Sequence, residues 1–173
     1  MRKFLVLLSL ALLTACGFQL RGSYSLPFET IYINMPESSL LYASLKRSIE
    51  AGSKTKVIDD KNSATATLTV IGDQQIKNIL SLSSTGRVRE YQLVRAFTFR
   101  VHNTKGQDFV PQSTITLRRD LGFNDQQVLA KESEEQLLQR DMETDLVQQL
   151  MRRLSLAKPP TTRAETLNNA TTP

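Results

Sequence analysis

The sequence predicts an α+β fold: a two-layer sandwich with two helices packed on one face of a four-stranded, mostly antiparallel sheet. Three observations lead there. Apolar residues alternate at period two through much of residues 64–119. Two other segments, one early and one late, repeat their apolar residues every four positions instead. Short turn sequences separate the later strands, which is the spacing of a meander rather than of crossovers.

The elements follow in order. Thr30-Ile31-Tyr32-Ile33-Asn34 reads as a first strand, ended by Pro36. Ser38 or Ser39 can cap a helix carrying Leu41, Leu45 and Ile49 on one face, with Gly52 where a C-terminal cap belongs. Residues 55–58 read as a brief strand or a lead-in. From Ala64 the chain alternates, with Ala66, Leu68 and Val70 on one side and Thr65, Thr67 and Thr69 on the other. This second strand can run on to Leu82, with Gly72 as a bulge. Ser83-Ser84-Thr85-Gly86 is a turn. Residues 88–102 form the clearest strand, with Tyr91, Leu93, Phe97, Phe99 and Val101 sharing a face. Arg95 falls on that same face, which requires its charge to reach solvent or to find a partner. Asn103-Thr104-Lys105-Gly106 turns the chain into a fourth strand at residues 113–119. A long helix over residues 125–154 closes the fold, with Asn124 and Gln127 placed as a capping box. Leu138, Met142, Leu146, Leu150 and Leu154 form its stripe. The uncovered sheet face should be polar.

The ends are of a different kind. Met1-Arg2-Lys3 is a positive start, and residues 4–13 are apolar except for Ser9. That run suits a signal sequence and is too short to span a bilayer, which takes about 20 residues. Leu13-Thr14-Ala15-Cys16 follows and resembles the lipobox of bacterial lipoproteins. Residues 1–15 are expected to be removed and Cys16 to carry the lipid, the one covalent group expected; no cofactor is. Acyl chains on such a terminus exceed the two-signal threshold for stable anchoring. Gly17, where Asp would signal inner-membrane retention, favours the outer membrane. Residues 16–28 then form a tether, residues 29–157 the periplasmic domain and residues 158–173 a polar, disordered tail.

Composition excludes several functions. The chain holds 22 basic and 17 acidic residues, and loss of Arg2 and Lys3 leaves 20 against 17, a net +3. That is too little for a general nucleic-acid binder. A single Cys permits no internal disulfide and a single His, His102, no metal cluster. Neither a nucleophile elbow nor a phosphate loop is present, so no enzyme is expected. The carboxylates of residues 132–145 lie along the last helix and read as its solvated face. More telling is the stretch from Arg87 to Arg119, with seven basic residues against Glu90 and Asp108. Arginines at strand ends can bind phosphates through paired N–H donors, or can serve only to keep an open sheet face in solution.

At this point the residues resemble a family. Cys16-Gly17-Phe18-Gln19-Leu20-Arg21-Gly22 after the lipobox is similar to the start of the LptE family, the lipopolysaccharide-assembly lipoproteins once called rare lipoprotein B. So are Gly86-Arg87-Val88-Arg89-Glu90-Tyr91-Gln92-Leu93, Leu129-Ala130-Lys131-Glu132, Asp141-Met142 and Gln149-Leu150-Met151-Arg152-Arg153-Leu154. The resemblance implies a non-enzymatic subunit of the lipopolysaccharide (LPS) translocon, anchored in the outer membrane and facing the periplasm and a barrel lumen. It implies the LptD β-barrel as partner, which the lipoprotein plugs and helps to assemble, and LPS as ligand. Family LPS contacts involve basic residues at the turn between the second and third strands and at the start of the last helix. The second position matches Lys131. The turn itself has no basic residue here, and Arg87 and Arg89 follow it closely. Arg118 joins them as a candidate from the basic stretch. The alternative is a membrane-anchored periplasmic carrier of another amphiphile, which requires a sizeable apolar pocket between sheet and helices.

Overall fold

The computed structural model describes residues 24–160. The signal, Cys16 and most of the expected tether lie outside the described residues, as do residues 161–173 of the expected tail; residues 158–160 have no regular structure.

Strand β1 spans Thr30–Asn34 and buries Ile31 and Ile33. Helix α1, Leu40–Gly52, begins where Ser39 Oγ accepts from the Tyr42 N–H at 3.4 Å, so the second of the two candidate serines is the cap. Its buried face is Leu41, Tyr42, Leu45 and Ile49. Gly52 is the last helical residue rather than a left-handed cap. Its role is space: a Cβ there would meet the Tyr24 ring at 3.3 Å, and the Tyr24 N–H donates to the Gly52 carbonyl at 2.6 Å.

Strand β2, Lys56–Val57, corrects the strand count from four to five. Two residues are too few to carry a period, so the sequence could only mark the segment as a brief strand or a lead-in. Strands β3 (Ala66–Leu82), β4 (Val88–His102) and β5 (Asp108–Gly122) complete one sheet in the order β2-β1-β3-β4-β5. β1 runs parallel to β2 and β3; the three long strands form the expected antiparallel meander. β5 is longer than its apolar core predicts. It starts at Asp108 and tolerates Pro111 because it is an edge strand, paired only with β4.

The long helix begins later than the spacing predicts. Residues Asp125–Gln127 form a 3-10 turn, capped by Asn124 Oδ1 accepting from the Gln126 N–H at 3.0 Å. That replaces the expected capping box. Helix α2 proper is Val128–Ser155, and every residue it buries lies between Met142 and Leu154. These pack with α1 and with Leu93, Phe97, Phe99, Ile115 and Leu117 in one apolar core. Fully burying each such side chain contributes roughly 1.5–3 kcal/mol. The opposite sheet face is mostly polar, joined by Thr98–Thr114 hydroxyls at 2.9 Å and by Arg100 on Asp108 at 2.7 Å.

Arg95 is 6% exposed and holds its place on the core face by pairing. Its Nε donates to Asp73 Oδ1 at 2.9 Å and its Nη2 to Asp73 Oδ2 at 2.7 Å, while Glu143 of α2 lies 3.9 Å from Nη1. The register between β3 and β4 shifts between Val70 and Gly72, which is the bulge expected at Gly72.

Candidate functional site

The turn between β3 and β4 fixes the first candidate cation. The Ser83 N–H donates to the Arg87 carbonyl at 2.7 Å, and Ser83 Oγ accepts from the Arg87 N–H at 3.1 Å. Gly86 supplies the left-handed residue, φ +77°, that such a tight reversal needs. The register then carries this turn to the far end of the sheet, beside the β5–α2 connection. Glu90 faces Gly122, the Arg89 carbonyl accepts from the Phe123 N–H at 2.7 Å, and Arg87 Nη1 lies 3.9 Å from Asp125 Oδ2.

Lys131 comes to the same end from the first turn of α2. Its side chain is 22% exposed, and its Nζ donates to Glu134 at 2.7 Å and sits 3.9 Å from where a Gly122 Cβ would be. So Arg87, Arg89 and Lys131, spread over 45 residues of sequence, converge on one end of the fold. Arg87 is 75% exposed there. Arg118 does not join them. It lies between buried Leu117 and Arg119, and Arg119 pairs with Asp145 of α2, so Arg118 projects from the opposite sheet face.

Sequence reasoning missed Lys77. Its Nζ stands 4.4 Å from the Tyr91 ring centroid and pairs with Glu135 at 2.6 Å; Tyr91 in turn stacks edge-on with Phe123 at 5.3 Å. Nothing local signals a partner 58 residues away. The same reading took the helix carboxylates as solvated. Glu135, Glu143 and Asp145 instead reach across to Lys77, Arg95 and Arg119 of the sheet.

His102 uses both ring nitrogens, Nε2 with Thr69 Oγ1 at 3.1 Å and Nδ1 with the Asn103 carbonyl at 2.9 Å. Among the described residues no group of His, Cys, Asp or Glu could hold a metal, and no helix is long and apolar enough to cross a membrane. Between sheet and α2, the gap beside Leu93, Arg95 and Met142 is about 90 Å³, and a larger one of about 320 Å³ beside Gln75, Arg95 and Gln139 is lined by polar and charged side chains except for Leu40. Small-molecule pockets run from roughly 300 Å³ upward and are mostly apolar.

With this geometry in view, the comparisons are specific. The profile of the family described as "LptE: Lipopolysaccharide-assembly" matches residues 28–154. The chain belongs to the LptE family. It is 30% identical to the LPS-assembly lipoprotein LptE of Pectobacterium atrosepticum, over 88% of this chain and 85% of that one. It is 33% identical to the Yersinia enterocolitica protein of the same name, over 88% and 75%. Among solved structures, an uncharacterized lipoprotein B from Nitrosomonas europaea superposes with a TM-score of 0.70 at 37% identity, covering 80% of this chain and 90% of that one. Rare lipoprotein B from Shewanella oneidensis shares the fold, with a TM-score of 0.62 at 24% identity over 82% and 98%. LptE proteins are lipoproteins of LPS assembly, and the family's description names no reaction.

Proposed function

We propose that this LptE-family chain is anchored through lipidated Cys16 on the periplasmic side of the outer membrane. There it fills and helps to assemble the LptD β-barrel, and it hands LPS on by binding lipid A phosphates at the end of the sheet. The convergence of Arg87, Arg89 and Lys131 is the observation that carries the ligand. Arg and Lys donate several hydrogen bonds to a phosphate, and their neighbours here are a distant carboxylate at 3.9 Å and a local one within the same helix turn. A phosphate competes with both at little cost. The aromatic pair Tyr91–Phe123 beside them offers apolar surface to the first carbons of an acyl chain. Arg118, on the other face, is outside this cluster. The alternative, a carrier that swallows an amphiphile, needs a sizeable apolar pocket; the gap beside Leu93 and Met142 is about 90 Å³, and the larger one beside Gln75 and Gln139 is mostly polar.

The test is the double variant Lys131→Asp with Arg87→Asp. Each exposed ionic contact is worth about 0–1 kcal/mol, so reversing two charges weakens LPS binding by roughly 1–2 kcal/mol, about 5- to 30-fold. The fold survives, because neither side chain is part of the core. Unchanged LPS affinity in a folded double variant removes the binding clause, and gentle extraction that reproducibly lacks a large β-barrel removes the plug.

A further inference from the structure

We propose that Glu134 is a built-in competitor for the ligand of Lys131, which shortens the time a phosphate stays at the end of the sheet. The inference rests on the reading of Arg87, Arg89 and Lys131 as the phosphate-binding cations, and it adds a residue of opposite sign to that site. The cations are not equally free. Arg87 meets Asp125 only at 3.9 Å, with side chains 75% and 55% exposed. Of the three, Lys131 alone has a carboxylate at hydrogen-bond distance among the described residues: its Nζ donates to Glu134 Oε2 at 2.7 Å. Other acids close by are engaged elsewhere. Glu135 accepts from Lys77 Nζ at 2.6 Å, Glu90 from Ser81 Oγ at 2.6 Å and Asp120 from Gln92 Nε2 at 3.1 Å.

The geometry says which partner yields. Glu134 lies three residues beyond Lys131, so the helix sets both side chains on one face. Lys131 is 22% exposed, and its Nζ lies against the end of β5, 3.9 Å from where a Gly122 Cβ would be. Glu134 is 46% exposed and can turn out into water. An arriving phosphate therefore displaces the carboxylate and leaves the lysine in place. An ammonium has three donors and spends one here on Glu134, so phosphate and carboxylate can share it during the exchange. The displaced carboxylate then stays within one helical turn of the bound phosphate. It is tethered, so its local concentration does not fall as the ligand is diluted. A competitor that acts on the bound state speeds release. That suits a subunit that hands its cargo on, because cations without such a rival hold a phosphate longer.

The test follows LPS, dispersed in non-ionic detergent, as it binds to and leaves the immobilised full-length chain in surface plasmon resonance. Glu134→Gln keeps the side-chain length and removes the charge. The expected result is release slowed about two- to fivefold, the range one exposed ion pair can supply, with little change in the association rate. Glu132→Gln removes the same charge from an exposed side chain two residues away, one that enters no ion pair among the described residues, and leaves the release rate unmoved. A general loss of negative charge would act instead on association, and equally in both variants. In a Lys131→Met background, Glu134→Gln has no further effect on release. Equal slowing by the two glutamine variants, slowing that persists without Lys131, or a release rate unmoved by Glu134→Gln overturns the proposal. The two readings fail separately. If Lys131→Met weakens LPS binding and Glu134→Gln leaves release unmoved, the competitor alone is lost; if Lys131→Met leaves LPS binding unchanged, Lys131 is no phosphate contact and both are lost.

Discussion

Arg95 gives the sharpest test of how the sheet tolerates a cation on its core face. It is a cation on an otherwise apolar face, its side chain 7% exposed, and Asp73 takes both of its short hydrogen bonds. Removing a partner from a fully buried pair costs about 3–5 kcal/mol, because the remaining charge is stranded. Here the cost is smaller. Asp73 is 29% exposed and Glu143 remains 3.9 Å away to share the charge. Asp73→Ala should therefore cost about 2–3 kcal/mol. For a domain of this size that lowers Tm by roughly 3–5 °C per kcal/mol, or about 6–15 °C in all. Arg95→Met is predicted to cost less, about 1 kcal/mol, since the carboxylate it leaves can take water. The double variant should then be more stable than Asp73→Ala alone, because no stranded charge remains. Urea unfolding followed by circular dichroism measures all three. A double variant no better than Asp73→Ala, or an Asp73→Ala cost under about 0.5 kcal/mol, refutes the assignment of Asp73 as the partner that makes Arg95 tolerable.

Two further outcomes follow from single positions. Gly86→Ala should lose about 1–2 kcal/mol, the cost of a left-handed Cβ at φ +77°, whereas Gly72→Ala, with open space around it, should be neutral or slightly stabilising in the same unfolding assay. Burial raises the Tyr42 hydroxyl above its ordinary pKa of 10.0, a rise opposed by Lys46 and reinforced by Asp59. The folded state thus holds this proton more tightly than the unfolded chain, so its contribution is complete below pH 10.0 and is lost as pH rises through the folded value. Tyr42→Phe should flatten the alkaline fall in stability, and an unchanged slope counts against the burial argument.

Much of the fold was legible because its elements are long enough to show a period. β4 alternates from Gln92 to His102 and α1 repeats every four residues, so both stand where the spacing puts them. What escaped was either too short or too distant. β2 is two residues and carries no pattern. The first turn of the last helix has helical composition, yet Asn124 caps a 3-10 turn there. The pairings of Lys77, Arg95 and Arg119 with α2 join residues far apart in sequence, so composition alone made those carboxylates look solvated. Convergence of Arg87, Arg89 and Lys131 was likewise invisible in spacing and came only through the family resemblance. Arg118 was grouped with them by the basic stretch, and parity along β5 sets it on the opposite face.

The basic stretch that first suggested an anionic ligand divides in two once partners are assigned. Arg95, Arg100 and Arg119 each meet a carboxylate at close range and are occupied in holding the sheet or fixing α2 upon it. Among the described residues Arg87 meets only Asp125, at 3.9 Å, and both groups are largely exposed, where such a pair contributes little. A cation already held by a carboxylate at close range gives up that pairing to bind anything else, and one left in water does not. α2 shows the same division: its buried residues all lie from Met142 onward, while its first turns touch the sheet through ion pairs. The apolar end can therefore carry the stability of the molecule while, at the other end, Arg87 stays available to a phosphate and Lys131 gives up only a half-exposed partner within its own helix turn. Increasing salt should weaken the second function well before it disturbs the first.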